Sequence, residues 1–374
     1  MKKQRMVVKI GSSSLTTKNG GLSDEKLHEH VGALARLKQL GHEVILISSG
    51  AVAAGFADLG YPSRPKTIAS KQAAAAVGQG LLLKGYTEEF KRHDIVAAQL
   101  LLTRQNFLHK DQYNNANATL SELLKRNVLP IINENDSVAV DELTFGDNDM
   151  LSALVSGLVH ADFLMILTDI NGIYDQNPRT HPNAERYNYL HDIDEALIYR
   201  ASGTGTKVGT GGMKSKLEAA RTALNVGVKV FIGCPTGEEK LVDILAGNGD
   251  GTYIGDTSIP SMNTSKQWLA LHSIPTGKIE VDKGAALAIL EHGKSLLPAG
   301  VADISGTFRA DEVVRVADDR GNIIGRGKVN FSSDQLLEIK GLSSSEAMMK
   351  INSNQRVVIH RDHWVSKKRK ENEA

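Results

Sequence analysis

Two lysines stand where phosphate chemistry would use them. Lys9 lies near the end of the apolar run Met6–Ile10 and is followed by Gly11-Ser12-Ser13-Ser14. A lysine among β-branched residues is expelled to water unless the strand's end opens into a site, and in parallel sheets ligands bind outside the carboxyl ends of strands. Gly11 permits close backbone approach, and serine hydroxyls and amides donate to phosphate oxygens. Lys216 ends the run Gly203-Thr204-Gly205-Thr206-Lys207-Val208-Gly209-Thr210-Gly211-Gly212-Met213-Lys214-Ser215-Lys216. Its glycines, hydroxyls and lysines lead straight into a helix, whose first amides and dipole favour an anion.

Between the lysines fall acids and amides. Asn133-Glu134-Asn135-Asp136 follows one apolar run, and Gly146-Asp147-Asn148-Asp149 opens a helix. These seven carboxylates and amides suit a substrate ammonium, the orientation of lysines, or a hydrated cation. Ser48-Ser49-Gly50-Ala51 and Leu167-Thr168-Asp169 close two further runs, the second resembling a nucleotide rim. Each motif also has a plain structural reading: a strand-end lysine in water, a serine N-cap, helix capping by Asp147 or Asn148, a β-turn, a solvated loop.

Two lysines on glycine-rich loops with acids between them fit phosphoryl transfer, which needs positioning and charge cancellation more than proton chemistry. A carboxylate acceptor, with a pKa near ~4.3, is already ionised at neutral pH and needs no general base. Other chemistries lack their residues. No Gly-Lys-Ser/Thr has Walker A spacing, since Ala288 stands where Gly293-Lys294-Ser295 would need the first glycine. Val208 breaks a GxGxxG, and His28 and His30 sit about 200° apart on a helix, a poor metal pair. Cys234, the single cysteine, excludes an internal disulfide and a cysteine zinc cage.

These motifs need elements to hold them. Through about residue 255, short apolar runs alternate with helical patterns. Strands are expected at Met6–Ile10, Val44–Ile47, Ile95–Leu101, Val128–Ile132, Phe163–Leu167 and Val228–Ile232. Helices are expected at Asp24–Gln39, Ile68–Arg92, Asn114–Lys125, Asp147–His160 and Ser215–Asn225. Continuous apolar strands each followed by a helix predict a mostly parallel sheet covered on both faces, an α/β fold. Ser258–Ser265, with Pro260, reads as a linker. Beyond Thr276, short strands at Lys278–Val281, Val301–Ile304, Val313–Ala317 and Asn322–Gly327 and one helix, Gly284–His292, predict a small β-rich barrel. The expected division is 1–258, 276–356 and a C-terminal tail, 357–374, whose charge run Lys367-Lys368-Arg369-Lys370 reads as a solvated end.

The 374 residues carry 44 Lys+Arg against 43 Asp+Glu. A net charge of +1 argues against a protein made to coat nucleic acid. From Thr276 onward 16 Lys+Arg face 14 Asp+Glu, a weak footprint for RNA. No apolar run approaches the ~18–20 residues of a membrane span, and Lys9 interrupts the apolar stretch of the basic N-terminus, so neither a span nor a secretory signal is expected.

Lys9-Ile10-Gly11-Ser12-Ser13, Ser48-Ser49-Gly50-Ala51, Leu167-Thr168-Asp169 with Gly172-Ile173-Tyr174, and the loop before Lys216 together resemble the amino acid kinase family. Ile68-Ala69-Ser70-Lys71-Gln72, Val77-Gly78-Gln79, Ile132 through Asp136, Gly146 through Asp149 and Thr210-Gly211-Gly212-Met213 are similar to its members that act on glutamate. The C-terminal part resembles a PUA domain. One departure is Ser215, where the family often has threonine; the hydroxyl is kept.

The resemblance implies an αβα sandwich and transfer of phosphate from ATP to the side-chain carboxylate of L-glutamate, the first step toward proline. It implies catalytic roles for Lys9, Lys216 and Asp149, with Asp149 orienting the lysines. Ser49, Asp136 and Asn148 would hold glutamate. Lys9, Thr168, Asp169, Thr210, Gly211, Gly212, Met213, Lys214, Ser215 and Lys216 would hold ATP. Mg²⁺ would arrive on the ATP phosphates with no direct protein ligand. The resemblance further implies a cytoplasmic homo-oligomer, dimer or tetramer, with proline as feedback inhibitor and a glutamyl phosphate reductase as partner. Two alternatives stay open: another carboxylate or phosphate kinase of the family, and an RNA-binding protein acting through the C-terminal domain.

Overall fold

The computed structural model describes residues 2–17, 21–139, 148–201, 212–255, 266, 268–269, 273 and 275–366. The chain divides into two compact units, Met1–Ser261 and Met262–Ala374.

The strands of the first unit are β1 (Arg5–Ile10), β2 (Glu43–Ile47), β3 (Ala97–Leu102), β4 (Leu129–Glu134), β5 (Phe163–Leu167), β6 (Ile173–Tyr174), β7 (Arg186–Tyr187), β8 (Tyr189–Leu190), β9 (Lys229–Gly233) and β10 (Gly251–Ile254). Eight form one sheet in the order β3-β4-β2-β1-β5-β9-β10-β8. Neighbours from β3 to β9 pair in parallel, and β10 runs antiparallel to β9. The chain leaves β1 toward β2 on one side and later returns to β5 on the other, so the order reverses at β1. Ligands bind at such a reversal, at the carboxyl ends of the strands.

The helices are α1 (Asp24–Gln39), α2 (Ala51–Gly55), α3 (Ile68–Lys91), α4 (Arg104–Leu108), α5 (Lys110–Lys125), α6 (Asn148–Leu158), α7 (Glu195–Ala201), α8 (Met213–Leu224) and α9 (Lys240–Leu245). Strand alternation sorts the faces. Met6, Val8 and Ile10 of β1 share a core with Leu27, Val31 and Leu34 of α1, Tyr86 and Phe90 of α3, and Ile244 of α9. Lys9, between Val8 and Ile10, therefore points to the opposite face, against α6. That helix is buried nearly all round. It tolerates Ser152 and Ser156 because their hydroxyls donate back to the carbonyls of Asp149 and Ser152 at 2.5 and 2.7 Å.

Between α2 and α3 the backbones touch. A Cβ on Gly78 would lie 1.8 Å from the carbonyl oxygen of Ala51. Only glycine fits there, and the contact sets where α2 starts.

The second unit carries β11 (Gly277–Val281), β12 (Val301–Ser305), β13 (Val313–Ala317), β14 (Ile323–Val329) and β15 (Ile359–Ser366), in the sheet order β12-β11-β13-β14-β15. The expected tail from residue 357 is corrected here. Strand β15 pairs antiparallel with β14, and Val358, Ile359 and Trp364 lie in the core. Charged residues at 361 and 362 hid a strand anchored by only a few apolar side chains. Helices Ser333–Ile339 and Ser344–Lys350 were also not foreseen, although each begins with a capping box, Ser332 with Gln335 and Ser343 with Glu346. The expected linker at 258–265 and the run Lys367 to Lys370 lie outside the described residues.

Candidate active site

Register lines up the ends of four strands. Lys9 pairs with Ile47 and Ile166, Ile10 with Leu167, and Ile47 with Ile132. The segments after β1, β2, β4 and β5 therefore open on one edge of the sheet. They carry Gly11–Ser14, Ser48–Gly50, Asn135–Asp136 and Thr168–Asp169. Helix α1 fixes the first of them. Lys26 Nζ donates to the carbonyls of Ser13 and Thr16 at 2.9 and 3.0 Å. Burial, helped by the charge of Lys240, pushes the His30 imidazole down to about 4. The neutral ring donates through Nε2 to the Ser14 carbonyl at 3.1 Å.

Asp149, in the first turn of α6, has no exposed surface. Its Oδ1 lies 2.5 Å from Lys9 Nζ and its Oδ2 2.9 Å from Lys216 Nζ. Burial alone would raise this carboxyl. The charges of Lys9 and Lys216 and their hydrogen bonds outweigh burial and hold it well below the usual carboxylate range. Ser215 Oγ, one residue before Lys216, lies 3.4 Å from Oδ2. Two ammonium groups on one carboxylate leave a net charge of +1 in a nearly sealed place, a setting for a developing anion.

A second polar cluster adjoins the first through α6. The amide nitrogen of Asn148 lies 2.8 Å from the Ser48 carbonyl, 2.9 Å from Ser49 Oγ and 2.8 Å from Asn133 Oδ1. Asn133 Nδ2 in turn donates to Gln79 Oε1 of α3 at 2.8 Å. Ser48 Oγ meets the buried Tyr86 hydroxyl at 3.0 Å. Gly50 takes φ of 98°, turning the chain from β2 into α2. In the sequence, Asn133 and Gln79 stand out only as parts of longer motifs. The signal for Asn133 was an amide at the end of an otherwise apolar strand.

Asp136 stands apart. Burial pushes its carboxyl up to about 6, with the charge of Arg64 pulling it partly back. Among the described residues it makes no hydrogen bond to the Asp149 cluster.

On the other side, Thr168, Asp169, Gly212, Met213 and Lys216 line one cleft with Tyr174 and Arg179. Thr168 Oγ1 lies 3.2 Å from Asp169 Oδ1, and Arg179 Nη2 lies 3.1 Å from Asp169 Oδ2. Lys214 is not brought to the cluster; it is exposed and lies 3.9 Å from Glu218. Thr210, Gly211 and Asp147 lie outside the described residues. Lys216 thus lines the cleft and also pairs with Asp149, whose neighbour in sequence, Asn148, anchors the second cluster, so a phosphoryl donor in the cleft and an acceptor at Asn148 would flank the Asp149 pair.

A model of the amino acid kinase family matches residues 4–234, and one of the PUA domain matches residues 277–359. The chain is 60% identical over 366 residues to a glutamate 5-kinase of Bacillus cereus (strain G9842), covering 98% of this chain and all of that protein. It is 57% identical over 374 residues to a glutamate 5-kinase of Halalkalibacterium halodurans, covering all of both. Among solved structures, a carbamate kinase from Giardia lamblia bound to AMP-PNP is similar at 17% identity and a TM-score of 0.49, covering 68% of this chain and 98% of that one.

Proposed function

Because the chain belongs to the amino acid kinase family, we propose that it transfers the γ-phosphoryl group of ATP to the side-chain carboxylate of L-glutamate, giving L-glutamyl 5-phosphate and ADP. Relatives at 57–60% identity over nearly the whole chain are named for that activity. It is the first step of proline formation. The observation that carries the reading is the buried Asp149 between the ammonium groups of Lys9 and Lys216.

The chemistry follows from charge. The acceptor carboxylate is ionised at neutral pH, so no base need remove a proton, and no histidine is needed beside the lysines. The barrier is repulsion between a carboxylate and a phosphate. Lys9, on the β1 side, and Lys216, on the α8 side, face the transferring group from two directions and offset that repulsion as charge spreads over its equatorial oxygens. Asp149 keeps both lysines aimed. Ser49 and Asn148 hold the acceptor, and Asp136 faces its ammonium. Thr168, Asp169 and the start of α8, with Thr210 and Gly211 before it, hold ATP. A magnesium ion supplies further charge on the phosphates. Both Asp149 oxygens are already taken by lysines, which fits an ion carried by ATP and water rather than by this carboxylate.

Catalysis belongs to residues 1–258, and the PUA unit acts as a regulatory or interaction module. The product, an acyl phosphate, is labile, so a reductase partner fits its chemistry. We place the enzyme in the cytoplasm as a dimer or tetramer under feedback by proline; no helix among the described residues is long and apolar enough to cross a membrane. The test is ADP release with glutamate against aspartate, N-acetylglutamate and uridylate, then with added proline. Turnover with another acceptor and none with glutamate would overturn the assignment.

A further inference from the structure

Gln79 of α3 holds two amide hydrogens that no group among the described residues uses. The backbone N–H of Glu134 can only donate, so the Asn133 atom 2.9 Å from it is the oxygen Oδ1. The Asn133 nitrogen must then face Gln79, which accepts through Oε1 at 2.8 Å. Gln79 Nε2 is thereby turned to the other side of its amide. Its two donors have no acceptor among the described residues, and the side chain is half-buried rather than sealed.

The place of Gln79 gives those donors a use. It is joined by hydrogen bonds through Asn133 to Asn148, and through Asn148 to Ser49. Gln72, seven residues earlier on the same helical face, donates to the carbonyl of Ala139 at 3.0 Å. That face of α3 therefore runs along the segment that carries Asp136. Glutamate has two carboxylates. The reacting one belongs with Lys9 and Lys216. The other shares its carbon with the ammonium assigned to Asp136 and needs donors on that side, away from the lysine pair.

We propose that Gln79 Nε2 donates to the α-carboxylate of bound glutamate, making Gln79 a specificity-determining residue that selects amino acids over simple carboxylates. The proposal rests on the glutamate reading above. Gln79→Glu separates its two faces: it keeps an oxygen for Asn133 but puts an acceptor where the donors stood. Steady-state kinetics should show the KM for glutamate rising about tenfold or more, as for a lost hydrogen bond to a charged group, with the KM for ATP within about twofold of wild type. A Gln79 that only braces Asn133 gives the opposite result, a near-normal KM in Gln79→Glu, and that result overturns the proposal. Gln79→Met should raise the KM likewise and decides the matter if the thermal midpoint shows Gln79→Glu unfolded; a wild-type KM there is equally fatal. Arg64→Ala is the control. If it carries the KM rise and Gln79→Glu does not, the guanidinium near Asp136 holds the carboxylate and the proposal is wrong. Wild-type enzyme that releases no ADP with glutamate would instead sink the function itself.

Discussion

Lys216 Nζ lies 2.9 Å from Oδ2 of Asp149, a carboxylate with no exposed surface whose other oxygen is held by Lys9. Removing either member has a different signature. Lys216→Ala deletes the ammonium proposed to stabilise the transferring group and leaves Asp149 paired with Lys9. It should lower kcat by about 10²–10³ with little change in folding, by analogy with losing one oxyanion donor. Asp149→Ala leaves two buried ammonium groups uncompensated. It should abolish turnover and also cost about 3–5 kcal/mol, read as an earlier first transition in urea. Equal stability of the two variants would mean that Asp149 does not hold the lysines.

Asp136, whose carboxyl is shifted in the opposite sense to that of Asp149, should give the enzyme a pH dependence. Its carboxyl titrates near 6 in the free enzyme because burial disfavours its charge, only partly offset by Arg64. Below that pH it is neutral and no longer attracts an ammonium. The ratio kcat/KM for glutamate should therefore fall as pH drops through about 6, while the KM for ATP stays level. The stability sign follows from linkage. A carboxyl whose folded pKa is raised binds more protons folded than unfolded, so its contribution is present at low pH and lost as pH rises through about 6. Asp136→Asn should remove the kcat/KM step and, at pH 8 without substrate, melt at a higher temperature than wild type. A kcat/KM profile with the step intact in Asp136→Asn would assign it to another group.

The sheet and its helices were legible because periodicity reports burial. Helix α1 has the expected bounds, since Leu27, Val31, Leu34 and Leu37 mark its face and Ser23 and Gly41 its ends. The Lys9–Asp149–Lys216 triad could be suspected because each residue breaks a local pattern: a lysine in a strand, an acid opening a buried helix, a lysine after glycines. Its closure could not be read, because the three are brought together by strand order and by α6 packing on α8. The contacts of Gln79, which stands out only within a motif, and of Tyr86 were hidden for a related reason. Both residues are ordinary on α3, and only the pairing of α3 with α2 and β4 brings them to Asn133 and Ser48.

Gly78 tests that pairing directly. A Cβ there would lie 1.8 Å from the Ala51 carbonyl oxygen and 2.7 Å from the Gly55 nitrogen. Both obstacles are backbone, so they cannot rotate away, and α2 must separate from α3. Gly78→Ala should cost at least the ~1–3 kcal/mol typical of overpacking. It should also raise the KM for glutamate more than that for ATP, because α2 begins two residues after Ser49 while Thr168 and α8 are untouched. A variant with reduced stability and equal changes in both KM values would show that α2 does not carry the acceptor site.

Strand β15 distinguishes two ends for the second unit. A chain stopped after Arg356 loses Val358, Ile359 and Trp364 from the core and leaves β14 paired with β13 alone. Large buried side chains contribute about 2–5 kcal/mol each, and a small domain's whole stability is of order 5–15 kcal/mol. That truncation should unfold the second unit, seen as loss of protection from proteolysis across the retained strands β11 to β14. A chain stopped after Ser366 keeps every one of those contacts and should retain that protection. If Met1–Ser261 alone carries catalysis, the shorter truncation product should still release ADP with glutamate, and loss of that activity would assign the second unit a part in the reaction itself.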